Sequence, residues 1–153
     1  YPLSVVAANE RAAKLYRKGI YGNTMTTNPR ALDVAVAVLS QLTPALRANI
    51  RERGQEAIAK LEALKNELPG LITKVQGTGL LFSCELPPQF KGYGTGSTEE
   101  WLRERGIGVI HGGENSLRFT PHFAMRSDEL DLLIGMVKRA LIEGPRIAQA
   151  AAA

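Results

Sequence analysis

Apolar residues recur with a helical period over three long stretches of the chain. From Asn28-Pro29 onward, Leu32, Ala35, Val36 and Leu39 are spaced for one buried helical face, with Asn28 at the N-cap and Pro29 in the first turn. Thr43-Pro44 repeats the start signal. Leu46, Ile50, Ala57, Ile58, Leu61, Leu64 and Leu68 then form the stripe of a second helix, which Pro69-Gly70 ends. Leu130, Leu133, Ile134, Val137 and Leu141 give the third, with Ser127 as cap and Asp128 and Glu129 suited to its positive end. Two shorter helices are marked by their ends: Glu10 to about Lys18, between Asn9 and Gly19, and a turn or two from Ser97 or Thr98 to Arg105, before Gly106. Strands are expected at Leu3–Ala7, on both sides of the Gly77-Thr78-Gly79 turn within Ile72–Leu86, at Ile107–Ile110 and at Ser116–Thr120. Lys91 to Ser97 reads as a flexible glycine-rich loop. Gly54, inside the second helix, costs about 1 kcal/mol relative to alanine and so predicts a bend or a close approach. The order implies an α+β arrangement, with an antiparallel or mixed sheet covered by helices.

Composition makes this a soluble globular domain: 44% of the 153 residues are hydrophobic and 22% are charged. No run reaches the ~18 to 20 apolar residues of a membrane span. Tyr1 to Ala8 lacks the basic lead and small-residue cleavage site of a signal peptide. The net charge of +4 is spread, and Arg51-Glu52-Arg53 and Arg103-Glu104-Arg105 alternate in sign as solvated helix faces do. Basic and aromatic residues do not cluster, which argues against nucleic acid as a partner. A single cysteine, Cys84, excludes an internal disulfide and a Cys-cluster zinc site; no metal site is expected, and a cytoplasmic location is.

Chemistry concentrates in few places. The loop Gly19 to Pro29 carries three threonines and two asparagines directly before a helix start, where hydroxyls and free backbone N–H groups can bind phosphate. The same Thr26, Thr27 and Asn28 can be spent on capping, and the residues alone leave both readings open. Arg118, on an expected strand, is by itself more often a surface residue. His111 follows a strand without a neighbouring acid, Cys84 alternates within an apolar strand as an inert core residue does, and Trp101 suits a core anchor.

Three segments resemble a known family. Tyr21-Gly22-Asn23-Thr24-Met25-Thr26-Thr27-Asn28-Pro29, before an alanine-rich helix, is similar to the segment H-G-[ST]-T-[FY]-x-G-N-P of class III aminotransferases, a group that includes acetylornithine, ornithine and 4-aminobutyrate aminotransferases. Val75-Gln76-Gly77-Thr78-Gly79-Leu80-Leu81 resembles their V-R-G-x-G-L-[ML] turn. Leu117-Arg118-Phe119-Thr120-Pro121, followed by Ser127-Asp128-Glu129-Leu130, resembles their R-[FLI]-x-P-P strand before the last helix. Tyr21 stands for the usual histidine, Thr26-Thr27 for a small residue and glycine, and His122 for a second proline.

The resemblance implies the C-terminal small domain of a fold type I enzyme that uses pyridoxal 5'-phosphate. Residues 1–28 would be a remnant of the large cofactor domain, 29–145 the small domain and 146–153 a frayed tail. It implies that Thr24 reaches across a homodimer interface to the partner's cofactor phosphate, with Gly22 and Asn23 at backbone-contact positions, and that Arg118 holds the substrate carboxylate. The Schiff-base lysine would lie upstream of Tyr1, leaving these residues without turnover on their own. The reaction implied moves an amino group from an amino acid or ω-amine to a 2-oxo acid. A related racemase or aminomutase, or a non-enzymatic association module of the same fold, are the alternatives.

Overall fold

The computed structural model describes residues 3–19, 28–113 and 115–147. The chain divides into two compact units, Tyr1–Thr43 and Pro44–Ala153.

Among its described residues the first unit holds two helices. Helix α1 is Glu10–Ala13, where the Asn9 side chain accepts from the Ala12 N–H at 2.9 Å. It stops short of the expected Lys18. The next turn tightens through Leu15 N–H to Ala12 and Tyr16 N–H to Ala13, and a helix with no buried face has little to extend it. Helix α2 is Pro29–Gln41, and the Asn28 side chain caps it as expected by accepting from Arg30 N–H at 3.0 Å. Two expectations fail here. Leu3–Ala7 is exposed coil rather than a buried strand, because no described strand lies beside it to complete a ladder. On α2, Ala31 is buried, but Leu32, Val36 and Leu39 are 44%, 67% and 62% exposed. The periodicity marks an apolar face that no described residue of this unit covers. Leu3 and Val5 border a shallow depression of about 330 Å³ with Ala31, Val34, Ala35, Val38 and Leu39.

The second unit is an α+β layer pair. Helix α3 (Pro44–Glu67) is followed by strands β1 (Lys74–Thr78) and β2 (Leu81–Glu85), helix α4 (Thr98–Arg103), strands β3 (Ile110–Gly112) and β4 (Ser116–Phe119), and helix α5 (Ser127–Glu143). The four strands form one sheet in the order β1-β2-β4-β3 with every pair antiparallel. Val75 sits opposite Cys84, Cys84 opposite Leu117, and Ser83 opposite Arg118. Strand alternation therefore sends Phe82, Cys84, Leu117 and Phe119 to one face. There they join Ala57, Leu61 and Leu64 of α3, Leu102 of α4, and Leu130, Leu133, Val137 and Leu141 of α5 in one core. Phe82 and Phe119 stack with ring centres 5.2 Å apart. Since α3 touches β1 and β2 and packs on α5, which also packs on α4, the helices cover this face of the sheet.

Gly54 has the close approach its sequence position predicted. A methyl group there would lie 2.6 Å from the Gly79 carbonyl carbon and 2.7 Å from its Cα, and closer still to the oxygen. Helix α3 thus meets the β1–β2 turn backbone to backbone. Gly79, at φ +53°, is in the region that favours glycine.

Two boundaries and one loop differ from expectation. The strand read as Ile107–Ile110 is shifted to Ile110–Gly112, where Gly112 can pair with Ser116. The N-cap of α5 is Arg126, whose N–H donates to Glu129 at 2.8 Å, while the Ser127 hydroxyl donates across to Glu56 on α3. The glycine-rich loop is pinned: Lys91 Nζ donates to the Thr95 carbonyl, Ser97 N–H to Gly94 and Thr98 N–H to Lys91. Ser97, not Thr98, caps α4 by accepting from Glu100 N–H at 3.1 Å.

Candidate functional site

The sheet face opposite the core is polar. Alternation places Lys74, Gln76 and Thr78 of β1, Leu81, Ser83 and Glu85 of β2, Ser116 and Arg118 of β4, and Ile110 and Gly112 of β3 on it. Gln76, Gly77, Thr78, Leu81, Phe82, Ser83 and Arg118 line an open depression of about 560 Å³ on the sheet. Arg118 is its cation. Its neighbours Leu117 and Phe119 are buried to 0% and 2% exposure, so the strand is anchored on the core while the guanidinium faces out. Arg118 makes no ion pair among the described residues. Glu85, the acid on this face, instead accepts from the Thr73 hydroxyl at 2.9 Å. An unpaired guanidinium beside a polar hollow is suited to gripping a carboxylate with two parallel hydrogen bonds.

The remaining candidates sort differently. Gly22, Asn23 and Thr24 lie outside the described residues. His111 stacks on Tyr93 with ring centres 4.0 Å apart and lines a separate hollow of about 200 Å³ with Lys91, Gly92, Gly113, Asn115 and Ser116. His122 Nε2 faces Glu129 at 3.7 Å, at the start of α5. Cys84 is fully buried, and desolvation pushes its thiol up to about 12, so it is inert core as expected. Trp101 packs against the core with the Arg105 guanidinium 3.8 Å above its ring centre.

The strongest charge cluster is structural. Glu56 accepts from Lys60, Ser127 and Arg53, and the Lys60 and Ser127 hydrogen bonds hold its carboxyl below the ordinary 4.5. Lys60, bound to Asp131 and Glu56, is raised above its ordinary 10.5. This tie joins α3 to the first turns of α5. Among the described residues no three His, Cys, Asp or Glu side chains gather as metal donors.

Two residues that hold the site are not evident from sequence alone. Asn115, at φ +55°, points its Nδ2 at the carbonyls of Leu86, Pro87 and Phe90 (3.0–3.1 Å), and its Oδ1 accepts from Gly92 N–H at 2.6 Å. It fixes the β3–β4 turn, and hence the start of the Arg118 strand. Asn49 of α3 donates to the Phe123 and Met125 carbonyls at 2.8 and 3.1 Å, holding the segment beyond that strand. An asparagine two residues after a Gly-Gly pair is a turn signal, but its partners lie 23 to 29 residues away and leave no local trace.

Solved aminotransferases share this fold. The ornithine δ-aminotransferase of Plasmodium falciparum superposes with a TM-score of 0.72 at 20% identity, covering 90% of this chain and 34% of that one. The acetylornithine aminotransferase of Elizabethkingia anophelis gives 0.69 at 24% identity, covering 89% and 36%. The family model described as aminotransferase class-III matches residues 1–141, and the chain belongs to that family. Acetylornithine aminotransferase 1 of Pseudomonas syringae pv. tomato is 26% identical over 142 residues, which is 92% of this chain and 35% of the relative. Succinylornithine transaminase of Citrobacter koseri is 30% identical over 131 residues, 85% of this chain and 32% of the relative. These 153 residues therefore span about a third of the length of the curated relatives they match.

Proposed function

We propose that these residues form the substrate-carboxylate side of a pyridoxal-phosphate-dependent aminotransferase, in which an amino group passes from an amino acid or ω-amine to a 2-oxo acid. The observation that carries this reading is Arg118, a guanidinium without an acidic partner among the described residues, held on a core-anchored strand beside a polar hollow. It holds and orients the carboxylate, and Gln76, Thr78 and Ser83 supply amide and hydroxyl groups along the wall.

Pyridoxal phosphate, when bound, supplies the electron sink for the amino-group transfer. The lysines of this chain do not fit as its covalent anchor. None of the seven lines the Arg118 hollow; Lys14, Lys60 and Lys138 are engaged with carboxylates, and Lys91 with a backbone carbonyl. No chemical step is therefore assigned to these residues. The anchor belongs to the two thirds of the relatives' length that this chain does not span. Thr24, with Gly22 and Asn23, is assigned on sequence resemblance to the cofactor phosphate of a second subunit in a homodimer.

Two measurements test the reading. Treating the chain with pyridoxal phosphate and borohydride is expected to leave no stoichiometric label on any one lysine; a single labelled lysine overturns the missing anchor. Titrating the chain with pyruvate, followed by the Arg118 side-chain N–H resonance, is expected to saturate, and Arg118→Gln weakens binding at least about tenfold. Unchanged affinity in that variant removes the carboxylate role.

A further inference from the structure

Gly112 lies on edge strand β3 opposite Ser116, and on the open face beside Arg118, whose own partner on β3 is Ile110. Ile110 and His111 are exposed, yet Gly112 is buried. What covers it is Arg118. A methyl group on Gly112 would stand 2.5 Å from Nη2, 2.6 Å from Nε and 2.7 Å from Cζ of that guanidinium. The three distances are nearly equal, so the guanidinium meets the strand with its whole Nε–Cζ–Nη2 side rather than with one tip. Real Cβ atoms do not sit that close to other atoms. Because Gly112 has φ in the ordinary range, its lack of a side chain is not demanded by the backbone. The free space above it is what the arginine uses.

We propose that Gly112 is the positioning residue of the carboxylate site. Its bare backbone is the seat on which the Arg118 guanidinium lies, on the β3 side of its strand, and this fixes the height and direction in which the fork is presented to a carboxylate on the open face. The inference rests on the reading of Arg118 as the carboxylate grip and adds what fixes that grip. A flexible arginine on an open sheet face otherwise samples many rotamers, each of which must be given up when a carboxylate binds. Seating the planar group against a strand selects among them before the ligand arrives. The ligand class is a small carboxylate, and the discriminating element is a side chain that is absent. A methyl at 112 lifts the guanidinium off the strand, because the guanidinium is the movable partner and the paired strands are not.

The test uses the 153-residue chain and pyruvate as probe. In the unmodified chain, a nuclear Overhauser contact between the Arg118 Nε proton and the Gly112 Hα protons is expected, and its absence overturns the seat directly. In Gly112→Ala the free-state Arg118 Nε–H resonance moves, and the pyruvate dissociation constant rises at least about fivefold, as small misplacements of a positioned group do. Gly108→Ala, which adds its methyl into open space, leaves both unchanged. In an Arg118→Lys background, which lacks the planar group, the Gly112→Ala penalty is expected to vanish. Unchanged affinity in Gly112→Ala, weakened affinity with an unmoved Arg118 resonance, or a penalty that persists with lysine each overturns the proposal. If Arg118→Gln binds pyruvate normally, the carboxylate reading itself has failed; if only Gly112→Ala does, that reading stands and the seat is wrong.

Discussion

Asn115 shows how much one side chain can hold in place. Its amide nitrogen faces three carbonyls of the segment after β2, and its amide oxygen takes the Gly92 N–H. Asparagine tolerates the left-handed backbone there better than most residues do. Asn115→Asp keeps the acceptor but turns the donor into a second oxygen aimed at carbonyls. The expected cost is about 3 kcal/mol, read as a fall in the urea midpoint at unchanged slope. At this scale the sequence is legible where partners are near. Asn9 and Asn28 cap the next turn and could be recognised from their positions alone. Asn115 and Gly112 act on groups that only the folded sheet brings to them, and composition offers no hint of either role. Arg118 stood out by resemblance; its polar hollow and its lack of an acidic partner among the described residues had to come from the fold.

Among the elements, periodic stripes over a shared core were predicted well. Leu61 and Leu64 of α3 and Leu130, Leu133, Val137 and Leu141 of α5 are all buried. The same reasoning failed on α2 because a period says which residues share a face, not whether anything covers it. Gly54 was legible as a cost and became a contact: α3 can lie on the β1–β2 turn only where neither backbone carries a side chain. Gly54→Ala removes the penalty of a mid-helix glycine, worth about 1 kcal/mol. It also drives a methyl into the Gly79 carbonyl, and overpacking of that kind costs about 1 to 3 kcal/mol or more. The net expectation is a less stable second unit by about 1 kcal/mol, checked by denaturant unfolding. A stabilised variant would mean that the helix and turn separate freely.

Across the whole molecule the two units differ in how they are finished. The second has a core of aromatic and aliphatic side chains under a four-stranded sheet. The first is smaller, yet among the described residues it carries more of the exposed large apolar side chains, from Leu3, Val5 and Val6 to Val36, Val38 and Leu39. Patches of this kind mark contact surfaces or aggregation hazards. The chain at high concentration is therefore expected to self-associate, with the light-scattering mass rising above 16.6 kDa and Val36→Glu reducing the rise. A monodisperse monomer at millimolar concentration would contradict this. The exposed stripe on α2 also has a meaning inside a cell. Chaperones and proteases recognise misfolded chains by uncovered apolar segments, and to them this helix looks like damage although it is correctly folded. Covering that face, with a second copy or another segment, would therefore hide these residues from both.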